Sequence, residues 1–156
     1  AAAPDGFHAR YSATARSYVY VMRNSPVSSA FCRRYSWLVP SPHLDVRRLS
    51  IIADRFLGTH NFTSFCSLAD KSRSKIRKIT RAAFARRGDY VLFSIAADAF
   101  LHNMVRIILG TILSVYRDGL PPETVDEIML AEKRERAAAT VPPQGLFLKR
   151  VTYGQR

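Results

Sequence analysis

The chain has 156 residues, 47% of them hydrophobic and 23% charged, which fits one globular domain and excludes wholesale disorder. Its 24 Lys and Arg against 12 Asp and Glu give a net charge of +12 and a pI near 10.4, a balance that favours a polyanionic partner, nucleic acid before an anionic membrane surface. No apolar run reaches the roughly 18 residues of a membrane span. Cys32 and Cys66 stand apart, without metal-ligand or disulfide spacing, as expected of a reducing compartment, the cytoplasm or an organelle matrix.

In chain order, residues 1–16 read as an irregular lead-in. Ser17 to Arg23 is β-prone, with Tyr18, Tyr20 and Met22 alternating against Val19 and Val21. A loop from Ser28 to Pro42 holds Trp37. Asp45 then offers a start for a helix with apolar positions Val46, Leu49, Ile52, Phe56 and Leu57, closed by Gly58. His60 to Phe65 is a compact aromatic turn, and Asp70 to Lys78 is the densest basic run. Strands are predicted over Ile76–Phe84 and Tyr90–Ala97, joined by a hairpin turn at Arg86-Arg87-Gly88-Asp89.

The longest apolar-periodic run follows, predicting a helix from Phe100 to Tyr116. At 100° per residue, His102, Asn103, Arg106, Gly110, Ser114 and Arg117 share one narrow polar seam. Gly110, one turn after Arg106, would let another backbone or a ligand approach. Two readings of Arg106 are open on pattern alone: a side chain reaching solvent from a core helix, or a guanidinium at the floor of a cleft, where it needs an anionic partner. Pro121-Pro122-Glu123 begins a second short helix through Leu130. The last strand runs from Leu146 to Tyr153, with Leu146 and Leu148 alternating against Phe147, Val151 and Tyr153. The order β-α-β-β-α-β is ferredoxin-like: an antiparallel-rich sheet with helices on one face. Its free face is a place to lay RNA against aromatic side chains; Tyr18 and Tyr20 share one face of the first strand and fit the core equally well.

Four separated motifs are Phe7-His8-Ala9-Arg10-Tyr11-Ser12-Ala13 with Tyr18-Val19-Tyr20, Asn61-Phe62-Thr63-Ser64-Phe65, Phe100 to Arg106, and Gly145-Leu146-Phe147-Leu148. In this order and spacing they resemble the tRNA pseudouridine synthase A family. The resemblance implies two ferredoxin-like halves joined edge to edge around a basic cleft. It implies homodimers that convert uridines of the tRNA anticodon stem-loop to pseudouridine without metal or organic cofactor. An Asp attacks the target uridine, the glycosidic bond breaks, and the base turns and rejoins through carbon 5.

By resemblance, Tyr18 stacks on the flipped uridine and takes its carbon-5 proton, Arg106 pairs with the catalytic Asp, and Leu146 packs under the reacting base. Arg10, Arg73, Arg77 and His102 fall where RNA-contacting residues lie. The family's Arg-Thr-Asp nucleophile motif has no counterpart here, and Asp5, Asp70, Asp89 and Asp98 each lack its context. The expectation is therefore the C-terminal half of such an enzyme: residues 1–16 as lead-in and 17–156 as the domain. The first strand would be an exposed sheet edge, and this half alone would be inactive. The alternative is a non-catalytic RNA-binding or ribonucleoprotein-assembly module derived from that family.

Overall fold

The β-branched and aromatic residues of Ala13–Arg23 form β1, the strand around which the sheet is assembled. A computed structural model describes residues 6–27, 30–40 and 42–154; Asp5 and the rest of residues 1–5 of the expected lead-in lie outside them. β1 starts earlier than its periodicity suggests, because Ala13, Ala15 and Arg16 already pair with the last strand. On one side β1 bonds antiparallel to Tyr90–Ala97 (β5), with Tyr20 opposite Phe93. On its other side lie Leu146–Tyr153 (β6), antiparallel, and the two-residue parallel strand Trp37–Leu38 (β2). Beyond β5 come Ile76–Arg87 (β4) and Gly58–Asn61 (β3).

The four long strands therefore run in the order β6-β1-β5-β4. Val46–Asp54 (α1) connects β1 towards β4, and Met104–Arg117 (α2) connects β5 to β6. This is the expected ferredoxin-like α+β arrangement. One expectation is overturned: β1 is not an edge but the centre of the sheet, since it pairs on both sides, and of the four long strands the one with a single partner among the described residues is β6.

Asp45 caps α1 by accepting from the Arg47 and Arg48 amides at 2.8 and 3.3 Å. Leu49, Ile52 and Ala53 turn inward, while Leu57, expected on that face, is beyond the helix and exposed. Gly58, at φ +103°, turns the chain into β3. The aromatic turn becomes β3 followed by a 3-10 turn at Thr63–Phe65, and Thr124–Ala131 forms α3. α1 and α2 pack together over one sheet face, enclosing Tyr20, Met22, Phe56, Phe62, Phe65, Phe93, Met104 and Ile108. Tyr20 is core, and Tyr18 is half-buried on the same helix-covered face.

A bulge in β6 breaks the expected alternation. Tyr18 lies opposite Leu148, Ser17 opposite Arg150 and Arg16 opposite Val151, so Val151 moves to the Tyr18 side and Phe147 stays with Val19 on the other. Among the described residues, no helix is long and apolar enough to cross a membrane.

Candidate active site

α2 begins at Met104, four residues later than the periodicity predicts, because Asn103 takes a left-handed conformation, φ 61°. Asn tolerates that region better than most residues. Its carbonyl accepts the first helical amide, Ile107, at 3.0 Å. Its side-chain oxygen accepts from Arg106 Nη1 at 2.9 Å instead of capping the helix. His102 and Asn103 are thus the turn that precedes the helix, and the polar seam begins at Arg106.

That seam is covered by the chain's own backbone. Arg106 Nε donates to the Val141 carbonyl at 2.7 Å, and the Val141 amide donates back to the Arg106 carbonyl at 3.4 Å. One turn on, a Cβ at Gly110 would collide with the Ala139 carbonyl, so the glycine is what lets residues 137–142 lie against α2. The Ala138 amide bonds Thr111 Oγ1 at 3.2 Å. Tyr20 donates its hydroxyl to the Pro142 carbonyl at 2.5 Å. Burial pushes the Tyr20 phenol well above its ordinary pKa, and the nearby Arg106 charge only partly opposes this. Arg106 therefore has carbonyl and amide partners rather than an acid; no ion pair involves it among the described residues.

Tyr18 meets Phe100 edge-on, ring centroids 5.3 Å apart and 86° between planes, an arrangement that fixes the phenol ring. Its direct cross-strand neighbour is Leu148, and Leu146 sits opposite Tyr20, one pair along on the same face. Gly145 enters beneath Tyr20: a Cβ there would approach the ring's Cε1 to 2.7 Å and the Val21 carbonyl to 2.6 Å. Tyr18, Leu146 and Leu148 thus share one face at the β1–β6 edge. Arg106 reaches that end through residues 137–142, a strap in which the Val141 carbonyl it binds is followed by the Pro142 carbonyl held by Tyr20.

Next to Phe100 opens a groove of about 760 Å³ lined by Arg10, Tyr11, Asp70, Lys71, Arg73, Phe100 and His102, among others. Three of the four expected RNA contacts, Arg10, Arg73 and His102, are brought together here. Arg77 is not: it lies on β4 opposite His60 and donates to the Ser74 and Ile76 carbonyls at 3.1 and 2.5 Å.

Asp70 ties the groove's walls. Its Oδ2 accepts from the His102 amide at 2.6 Å; its Oδ1 accepts from Lys75 Nζ at 2.6 Å and the Ser72 amide at 2.9 Å. Burial alone would raise this carboxyl, but the His102 amide, Lys75 and Ser72 outweigh it and hold it well below the ordinary carboxylate range. Sequence reasoning gave Asp70 no role; one acid inside the densest basic run was the available signal. Phe100, Asn103 and Tyr20 were placed by periodicity and motif, but nothing in the sequence showed their contacts with Tyr18, Arg106 and Pro142.

The sequence model of a family described as tRNA pseudouridine synthase matches residues 52–154. The chain is 41% identical over 150 residues to the tRNA pseudouridine synthase A of Brachyspira hyodysenteriae, covering 96% of this chain and 60% of that protein. It is 42% identical over 151 residues to the tRNA pseudouridine synthase A of Moorella thermoacetica, covering 97% and 61%. With the tRNA pseudouridine synthase A of Halalkalibacterium halodurans it shares 42% over 144 residues, covering 92% and 54%. The chain thus spans little more than half the length of these relatives.

Proposed function

The chain belongs to the tRNA pseudouridine synthase family, and we propose that it supplies Tyr18, Arg106 and Leu146 to a uridine-isomerising site whose attacking carboxylate comes from residues outside it. The substrate in this reading is tRNA, at uridines of the anticodon stem-loop, and the working form is a homodimer in the cytoplasm or an organelle matrix. Residues 17–156 act as the C-terminal ferredoxin-like half. β6, with Phe147 and Leu148 exposed and only one strand beside it among the described residues, offers an edge for a second half-sheet.

The observation that carries the reading is the fastening of Arg106. Nε and Nη1 are held by Val141 and Asn103, which aims the rest of the guanidinium and leaves Nη2 without an acceptor among the described residues. A guanidinium stays charged and binds carboxylate in a fork, so a carboxylate arriving there is kept ionised and aimed. Tyr18, steadied by Phe100, stacks on the flipped uracil and takes the carbon-5 proton as the base rejoins. Leu146, with Leu148 beside it, forms the apolar floor. A site of this kind gains from positioning: a displacement of about 1 Å can cost roughly a hundred-fold in rate.

The test is tritium release from carbon-5-labelled uridine in tRNA by the full-length protein. Arg106→Lys should lower release roughly a hundred-fold, because lysine cannot hold two anchors and still present a fork. Release at the wild-type rate would refute the pairing role. A wild-type protein that binds tRNA without releasing tritium would support the non-catalytic RNA-binding reading instead.

A further inference from the structure

We propose that the groove beside Phe100 is a subsite for one nucleotide flanking the reacting uridine, its base stacked on Tyr11 and its phosphate met by Arg10, Lys71 and Arg73. The inference rests on the reading above, and it adds a base-binding residue that the reading does not use.

Tyr11 is the unexplained member of this groove. It is 76% exposed, a large ring left in water beside a basic cleft, yet it is not loosely placed. The turn before it is fastened at several points: the Arg10 and Tyr11 amides donate to His8 Nδ1 at 3.2 and 3.3 Å, and the Ser12 amide donates to the His8 carbonyl at 2.8 Å. The His8 amide in turn donates to Ser12 Oγ at 3.0 Å. The His8 ring stands 4.5 Å from the Tyr11 ring, and the Tyr153 hydroxyl ties the Ala9 carbonyl to the sheet at 3.0 Å. An aromatic ring held in place in this way stacks on a base without ordering itself first.

The charge around the ring fits a nucleotide. The Arg10 guanidinium lies 5.7 Å from the Tyr11 centroid, and Lys71 and Arg73 line the same groove. The one acid lining it among the described residues, Asp70, is spent internally: its side chain is 5% exposed and its oxygens are taken by Lys75, Ser72 and His102. It therefore shapes the walls without repelling a phosphate. The volume, about 760 Å³, falls within the roughly 300–1,000 Å³ typical of small-ligand sites. Phe100 connects the two places, lining this groove while its ring abuts Tyr18. A nucleotide seated here is next to the one at Tyr18.

The experiment compares binding of a short oligouridylate and of an abasic ribose-phosphate oligomer of the same length to the full-length protein. Tyr11→Ala should weaken oligouridylate on the order of ten-fold and leave the abasic oligomer unchanged, while Tyr11→Phe stays near wild type on both. A thermal melt of Tyr11→Ala should match wild type, since the ring is solvent-facing. Equal loss on both oligomers would overturn the proposal, because the ring would then only brace the turn. Equal affinity of Tyr11→Ala and wild type for oligouridylate would overturn it as well, and would hand the groove to another partner such as an acidic peptide. The base-dependent loss in a protein that releases no tritium would support the subsite while sinking the isomerase reading.

Discussion

Asp70 carries four of the groove's internal hydrogen bonds when Lys75 to its own carbonyl is counted. Its folded carboxyl lies below the ordinary range although burial pushes the other way. The unfolded chain therefore binds that proton more readily, and stability rises with pH through the acid range. The contribution is complete above about pH 4, the ordinary aspartate value, and is lost as pH falls through the lower folded value. Asp70→Asn should cost roughly 2–3 kcal/mol near neutral pH, the scale of hydrogen bonds to a charged group, and should flatten the acid limb of a plot of melting temperature against pH. Identical acid limbs in the two proteins would show that another group sets it.

Between α2 and the strap of residues 137–142, two effects of opposite sign meet at Gly110. Alanine would favour the helix by about 1 kcal/mol. Its methyl would also strike the Ala139 carbonyl, a backbone atom that cannot swing aside like a side-chain end. The carbonyl belongs to the same strap that receives Arg106 Nε and Tyr20 Oη. Overpacking of this kind costs about 1–3 kcal/mol, so Gly110→Ala should lower the melting temperature and, by shifting Val141, reduce tritium release more than it reduces tRNA binding. A stabilised variant with wild-type release would show that the strap yields easily.

Across the molecule, the +12 charge is distributed over more than one surface. Arg10, Lys71 and Arg73 line the groove, while Arg81, Lys149 and Arg150 line a smaller hollow that also borders Ser17 and Tyr18. Under the proposed function these cations meet tRNA phosphates and release counterions, so tRNA affinity should fall with salt at a log–log slope of several units. Lys71→Gln should reduce that slope by about one and leave the preference among tRNAs unchanged. A flat salt response would remove phosphate contact from the account.

The alternation of Tyr18 to Met22, the period-3.6 run through Ile108 and the hairpin glycine Gly88 were enough to order the strands and helices, because each is a local consequence of side-chain period or of turn stereochemistry. The four motifs carried the family resemblance, and it is from that resemblance that the roles proposed for Tyr18, Arg106 and Leu146 come. Tertiary structure alone decided that β1 is central, since strand neighbours depend on register between segments far apart in the chain. It alone gave Arg106 its partners: the Val141 carbonyl, 35 residues away, could belong to any residue type, and a backbone acceptor leaves no mark in sequence. Asp70 reaches the His102 amide across 32 residues for the same reason. The sequence determined which side chains stand in the four motifs, and the packing of one strap and one loop determined where Arg106 and Asp70 point.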